Sequence, residues 1–230
     1  MAFTVHAVMP GVWHIVDCMG VCMTLLEGEN AAMLVDTGYG IEDVADFMRH
    51  MTDLPLTVFL THNHHDHAMG ARCFPETYML EADMADWRMF TDDKMRRRVL
   101  TQAIGKNLPV DEKTFLAGEI PLPKVMKPGV IDLGGLTAEI IEAPGHTPGS
   151  AVVYVPERKL LLSGDDWNPC TWLFFPQALG LREYRSNMRG IQQLPFEKVL
   201  CPHRTGAMNQ LIAPTGSVCT HPAIRQFALM

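Results

Sequence analysis

The stretch Thr61-His62-Asn63-His64-His65-Asp66-His67 decides how this chain is read. Within it His62, His64, Asp66 and His67 fit one metal-ligand pattern, H-x-H-x-D-H. Imidazole and carboxylate are the groups that suit zinc, iron and manganese, and a shared cation is the simplest reason for crowding so many histidines together. The apolar run Leu56-Thr57-Val58-Phe59-Leu60 leads into the cluster. It is short and rich in β-branched and aromatic residues, so it reads as a buried strand. The cluster is then expected in the loop beyond that strand's C-terminal edge, where α/β sheets place their chemistry.

Three later segments end apolar runs in groups of the same kind. Ala138-Glu139-Ile140-Ile141 precedes the turn Pro144-Gly145-His146-Thr147-Pro148-Gly149-Ser150. Leu160-Leu161-Leu162 runs into Ser163-Gly164-Asp165, and Lys198-Val199-Leu200-Cys201-Pro202 ends in His203. Each candidate ligand follows a strand-like run, so all are expected to converge on one edge of a sheet.

From about Val12 to His203 the chain resembles the metallo-β-lactamase-fold hydrolases. The resemblance rests on Leu34-Val35-Asp36-Thr37-Gly38, the H-x-H-x-D-H cluster, Gly145-His146, Gly164-Asp165 and His203. It implies an α/β chain folded as a four-layer αβ/βα sandwich, two mixed β-sheets flanked by helices, with a dinuclear centre at one edge. By this resemblance His62, His64 and His146 hold one metal, and Asp66, His67 and His203 the other. Asp165 bridges the two, and a water or hydroxide bridges on the open side. Asp36 braces the metal loop by hydrogen bonds. The Asp36-Thr37-Gly38 triplet is also that of aspartic proteases, but their chemistry needs two carboxylates sharing a proton, and no second Asp-Thr-Gly occurs. The last ligand departs from the family, which usually has Pro-Gly-His-Gly where this chain has Cys201-Pro202-His203-Arg204. His221 is the alternative ligand there.

The implied function is that of a metal-dependent hydrolase with two divalent ions, zinc foremost, iron or manganese as alternatives. The bridging hydroxide attacks the carbonyl of an ester, thioester or lactone, with Asp66 orienting it and Asp165 joining the metals. An aspartate at the bridging position resembles hydroxyacylglutathione hydrolases and lactonases; the β-lactam-cleaving subclasses generally place cysteine or serine there. The helical C-terminal domain that holds glutathione in larger thioesterases has no counterpart in the sequence. The alternatives are a mononuclear iron persulfide dioxygenase and a β-lactamase or phosphodiesterase of the same fold. Two segments are candidates for the substrate mouth. One is the helical region around 81–106, with Met84 to Met95 as a lid. The other begins at Trp167 and carries Trp172, Phe174 and Phe175. Either could instead pack in the core or at a homodimer interface. Tyr39, beside the Asp-Thr-Gly turn, is a further candidate for substrate contact. Arg96-Arg97-Arg98 reads as a solvated helix face, and His6, His14 and His50 as ordinary strand or helix residues.

Composition narrows the classes. The 230 residues, 47% hydrophobic, suffice for one domain spanning 1–230 with a large core. A formal net charge of −7 argues against a nucleic-acid surface, leaving a small-molecule substrate. No basic, apolar leader opens the chain, and no stretch approaches the length of a membrane span. Six cysteines without a C-x-x-C pair read as reduced thiols of a cytoplasmic protein. The runs Phe3–Val8, Val12–Asp17, Val21–Leu26 and Ala32–Val35 predict an antiparallel meander. Ile41 to Met51 predicts an amphipathic helix, as does Leu181 to Leu194, with Leu181, Tyr184, Met188 and Ile191 on one face.

Overall fold

In the computed structural model, which describes residues 3–168 and 171–209, the chain opens with four antiparallel strands. These are β1 (Thr4–Met9), β2 (Val12–Val16), β3 (Cys22–Glu27) and β4 (Ala32–Val35), each within a residue of its predicted limits. Then β5 (Leu56–Phe59), β6 (Tyr78–Met79) and β7 (Lys124–Val125) join in parallel, giving a seven-stranded mixed sheet. The second sheet holds β8 (Gly129–Asp132), β9 (Thr137–Glu142), β10 (Ala151–Val155), β11 (Leu160–Leu162), β12 (Lys198–Leu200) and β13 (Met208–Asn209). Its pairs are antiparallel except β11 with β12, which runs parallel. The alternative ligand His221 lies outside the described residues.

The central core is the seam between the sheets. Val12, Leu26, Met33, Val35 and Phe59 of the first meet Ala138, Ile140, Val153, Val155, Leu160, Leu162 and Leu200 of the second. Helix α1 (Val44–Met51) covers the first sheet's outer face, with Val44, Ala45 and Met48 against Leu25, Leu34 and Val58. Burying one such side chain contributes about 1.5–3 kcal/mol. The helix starts at Val44 and not at the predicted Ile41, because the Asp43 carboxylate accepts from the Asp46 N–H and caps it there.

Four further helices follow in the chain before the last: α2 (His65–Ala68), α3 (Trp87–Thr91), α4 (Asp93–Gly105) and α5 (Glu112–Phe115). The last, α6 (Leu181–Ile191), covers the second sheet with Tyr184, Met188 and Ile191 against Val152, Leu161 and Val199. This completes the four layers: helix, sheet, sheet, helix. Leu181 is the exception on the predicted apolar face. As the first residue of α6 it overhangs the sheet and is 46% exposed. Among the described residues no helix is long and apolar enough to cross a membrane.

The expected helical stretch 81–106 is two helices and a short 3-10 turn, broken where Asp92 turns extended and caps Met95. Its Trp87, Val99, Leu100 and Ala103 join Phe115 and Ile120 against Leu60, Ala68 and Met69. The segment therefore seats against the metal loop of its own chain. Arg96 corrects the solvated-face reading of the arginine trio. It is buried, and its guanidinium donates to the carbonyls of Gly118 (2.6 Å), Ala117 (3.2 Å) and Phe115 at the end of α5. Arg96→Ala is expected to destabilise the protein by about 2–3 kcal/mol, since those carbonyls lose a charged donor. Urea unfolding measures this. A loss under about 0.5 kcal/mol, the size of an ordinary surface change, would remove the guanidinium from the fold's support.

Candidate metal centre

Strand β5 delivers the chain to the sheet edge, and Asp36, just past the end of β4, receives it. The Thr61 N–H and hydroxyl both donate to the Asp36 carboxylate, at 2.8 and 2.9 Å. His62 and His64 follow in the loop, and the single turn of α2 carries Asp66 and His67. His146 sits in the turn between β9 and β10, Asp165 just after β11, and His203 just after β12. Two glycines are required by close approach. A Cβ at Gly145 would lie 2.5 Å from the Tyr184 ring, and Gly164, at φ 48°, passes Thr61 closely enough that a Cβ would lie 3.1 Å from it.

The seven predicted ligands come together in overlapping groups. Ligand atoms of His62, His64 and His146 lie within 4.8 Å of one another, as do those of His62, His67 and Asp165, and of Asp66, His67 and His203. Asp165 faces both sides. Its Oδ2 is 3.5 Å from His146 Nε2 and its Oδ1 3.5 Å from His67 Nε2, while His203 Nε2 meets both oxygens, at 3.1 and 3.2 Å. His64 Nδ1 and His146 Nε2 point at each other across 2.8 Å.

The chemistry of this set fits cations. The Nε2 atoms of His62 and His67 are buried without a hydrogen-bond partner among the described residues. Leaving such an atom unpaired costs about 1–3 kcal/mol, and a cation in either group would take up its lone pair. The nitrogens facing away from the centre are held. His67 Nδ1 lies 2.9 Å from Asp36 Oδ2, His146 Nδ1 2.7 Å from the Trp172 carbonyl, and His62 Nδ1 3.1 Å from the Thr61 hydroxyl. These outer acceptors fix ring orientation and leave the inner nitrogen free to ligate. His64 differs: the Gln177 NH2 lies 3.0 Å from its Nε2 and donates to it, so the ring proton sits on Nδ1, facing His146, and a cation there displaces it.

Charge is arranged to match. Burial, reinforced by the neighbouring imidazoles, pushes His62 and His64 well below the ordinary histidine range. Burial also lowers His146. These rings are neutral and ready to ligate. For Asp66 and Asp165, burial works upward but is outweighed by the adjacent imidazoles, His67 foremost, so both carboxyls stay ionised. Burial opposes the charge on His67 as well, yet Asp165, Asp66 and Asp36 hold it well above its usual range.

Two carboxylates that the sequence did not single out hold the ligand loops together. Asp83 accepts from the Asn63 N–H (3.2 Å), the Thr147 hydroxyl (2.7 Å) and the Gly149 N–H (2.6 Å). It thereby ties the His62–His64 loop to the His146 turn. Asp166 accepts from the His146 N–H at 2.8 Å, and burial pushes its carboxyl well above the carboxylate range. The adjacent pair Asp165-Asp166 is the one sequence signal for it, and Asp83 has none.

The candidate substrate residues divide. Tyr39 is half-buried beside the centre, its ring 5.5 Å from that of His65. Burial, then Asp66, pushes its phenol up, so it stays a donor at neutral pH. Trp172 and Phe174 are 50% and 44% exposed, with ring centroids 5.4 Å apart. Phe174 leads to Phe175, which stands 4.6 Å from His64. Phe90 of α3 flanks the same ring at 4.4 Å. Trp167 corrects the reading of its segment: it is 3% exposed and packs against Phe196 in the core, facing away from the mouth.

The chain is similar to known proteins along most of its length. Acyl-coenzyme A thioesterase MBLAC2 of Gallus gallus is 26% identical over 168 residues, 65% of this chain and 59% of that protein. Hydroxyacylglutathione hydrolase of Bartonella tribocorum is 26% identical over 162 residues, 69% of this chain and 53% of that one. The chain thus spans somewhat over half the length of these curated relatives. The solved metallo-beta-lactamase from Pontibacter korlensis shares the fold, with a TM-score of 0.65 at 18% identity over 92% of this chain and 95% of its own. The metallo-beta-lactamase superfamily profile matches residues 16–203. A match that begins on β2 and closes on the last of the gathered histidines makes this chain a member of the metallo-beta-lactamase superfamily.

Proposed function

We propose that this member hydrolyses thioesters or related carbonyl esters and lactones with two divalent cations, zinc foremost. The observation that carries the proposal is the Asp165 carboxylate, which lies between the two histidine groups, 3.5 Å from His146 on one side and 3.5 and 3.1 Å from His67 and His203 on the other. The names of the two curated relatives favour thioesters: one is a thioesterase and the other hydrolyses an acylglutathione. His62, His64 and His146 would hold one cation, and Asp66, His67 and His203 the other. When bound, the cations supply a water of lowered pKa and a Lewis acid for the carbonyl.

The chain's own residues do the rest. The ionised Asp66 accepts a hydrogen bond from the attacking water and orients it toward the carbonyl carbon. The Tyr39 phenol donates to the substrate's oxygen. Trp172 and Phe174 seat its apolar part, while Phe90 and Phe175 exclude bulk water from the His64 side. Attack breaks the acyl–sulfur or acyl–oxygen bond, and the leaving group departs with a proton from water.

Elemental mass spectrometry on protein purified without added metal or chelator, followed by a thioester, lactone and β-lactam panel, tests the proposal. About two divalent ions per chain with thioester or lactone turnover is the expected result. A single iron, with oxygen consumed on glutathione persulfide, would replace it with the redox reading. Trp172→Ala is expected to raise KM for a long-chain or aryl thioester about tenfold, through lost apolar burial, with metal content unchanged. An unchanged KM would take the indole out of the binding surface.

A further inference from the structure

His203 is the least enclosed of the gathered ligands. Its side chain is 41% exposed, against 0% for His67 and 10% for Asp165. It also sits where the chain departs from its family, in Cys201-Pro202-His203-Arg204. The backbone on either side of it is pinned by the opposite sheet. The Pro202 carbonyl accepts from the Cys22 N–H at 2.7 Å. The Arg204 carbonyl lies 2.9 Å from His14 Nε2 and 3.6 Å from Cys22 Sγ. His14 and Cys22 stand on β2 and β3, whereas His203 follows β12 of the other sheet.

The hydrogen-bond chemistry fixes the state of His14. A carbonyl only accepts, so Nε2 carries the ring proton. Nδ1, 3.0 Å from the Thr24 hydroxyl, then accepts the hydroxyl proton. The two residues are direct partners in the β2–β3 register, so the sheet itself holds the ring. Burial lowers the imidazole's pKa, which keeps this neutral form at neutral pH.

We propose that His14, braced by Thr24, is a positioning residue for the second cation, holding His203 in ligating position through the Arg204 carbonyl. The other histidine ligands are oriented by partners on the ring nitrogen that faces away from the shared centre. His203 meets Asp165 through Nε2, and among the described residues its Nδ1 has no such partner, so its outer support comes through the main chain, where His14 supplies it from across the sandwich. The inference rests on the two-cation reading of the centre.

Zinc titration of the metal-stripped protein against a competing chelator tests it, with His203→Ala marking the affinity that belongs to the second site. Wild type should bind two zinc ions. His14→Leu should keep one affinity unchanged and weaken the one lost in His203→Ala by about 10–100-fold. His14→Gln, whose amide can still donate to the carbonyl, should recover most of that loss. If His14→Leu does not fold, Thr24→Val carries the test, since it frees the ring and should weaken the same site. Both affinities unchanged, or both weakened alike, would overturn the proposal. A wild-type chain that binds a single zinc ion would overturn the two-cation reading along with it.

Discussion

Asp165→Asn is expected to weaken both cation sites at once and to reduce hydrolysis by more than about 100-fold, the upper range for losing a mere outer partner of a ligand. The carboxylate lies between the two histidine groups, 3.5 Å from His146 on one side and 3.1 Å from His203 on the other. Two divalent cations held by these adjoining groups would repel each other, and an anion between them would offset that repulsion strongly in so buried a place. Asparagine keeps the shape and one carbonyl oxygen but not the charge. His64→Ala makes the contrast, because His64 belongs only to the group with His62 and His146. It should lose one cation and leave the other. Zinc stoichiometry of the two variants, read beside kcat, separates them. One cation retained at wild-type affinity in Asp165→Asn would show that the carboxylate does not bridge. The pH dependence gives a second check. In the metal-free chain the surrounding carboxylates raise His67, so a bound cation must displace its proton. Affinity at that site should therefore rise with pH, and less steeply in Asp165→Asn, where one of the groups raising His67 is gone.

The sheet edge and the ligands were legible because both signals are local. Four ligands fall within the six residues from His62 to His67, each later ligand closes an apolar run, and strands of that kind deliver their C-terminal ends to a common edge. Groups whose role depends on a distant partner left no such mark. Nothing in Glu81-Ala82-Asp83 separates Asp83 from a solvated carboxylate until Thr147 and Gly149 arrive beside it. His14 looks like an ordinary strand residue until the Arg204 carbonyl closes on it. Direction was equally hidden. Three consecutive arginines on a helix point about 100° apart, so one of them, Arg96, falls on the buried face. Trp167 and Trp172 are near neighbours in an aromatic run, yet one turns inward to Phe196 and the other outward beside the metal loops.

Asp36→Asn is expected to cost about 10–100-fold in metal affinity, with a parallel loss of kcat and little loss of fold. Every group that meets this carboxylate is a donor: the Thr61 N–H, the Thr61 hydroxyl, and His67 Nδ1 at 2.9 Å. Only an ionised carboxylate, an acceptor on both oxygens, satisfies all of them. An asparagine must turn its NH2 toward Thr61 or toward His67. Facing Thr61, it sets two donors against each other at the start of the metal loop. Facing His67, it donates to Nδ1 and drives the ring proton to Nε2, which removes the lone pair that the cation needs. The backbone argues for asparagine as the test residue. Asp36 lies at φ 64°, a left-handed conformation that asparagine tolerates better than most residues. Alanine there would add roughly 1–2 kcal/mol of backbone strain and confuse a ligand effect with a folding one. Nitrogen-15 NMR of the histidine side chains distinguishes the two tautomers directly, while zinc competition measures the affinity. If Asp36→Asn keeps wild-type zinc affinity with His67 still protonated at Nδ1, the carboxylate braces Thr61 alone and the orientation of His67 comes from its place on α2.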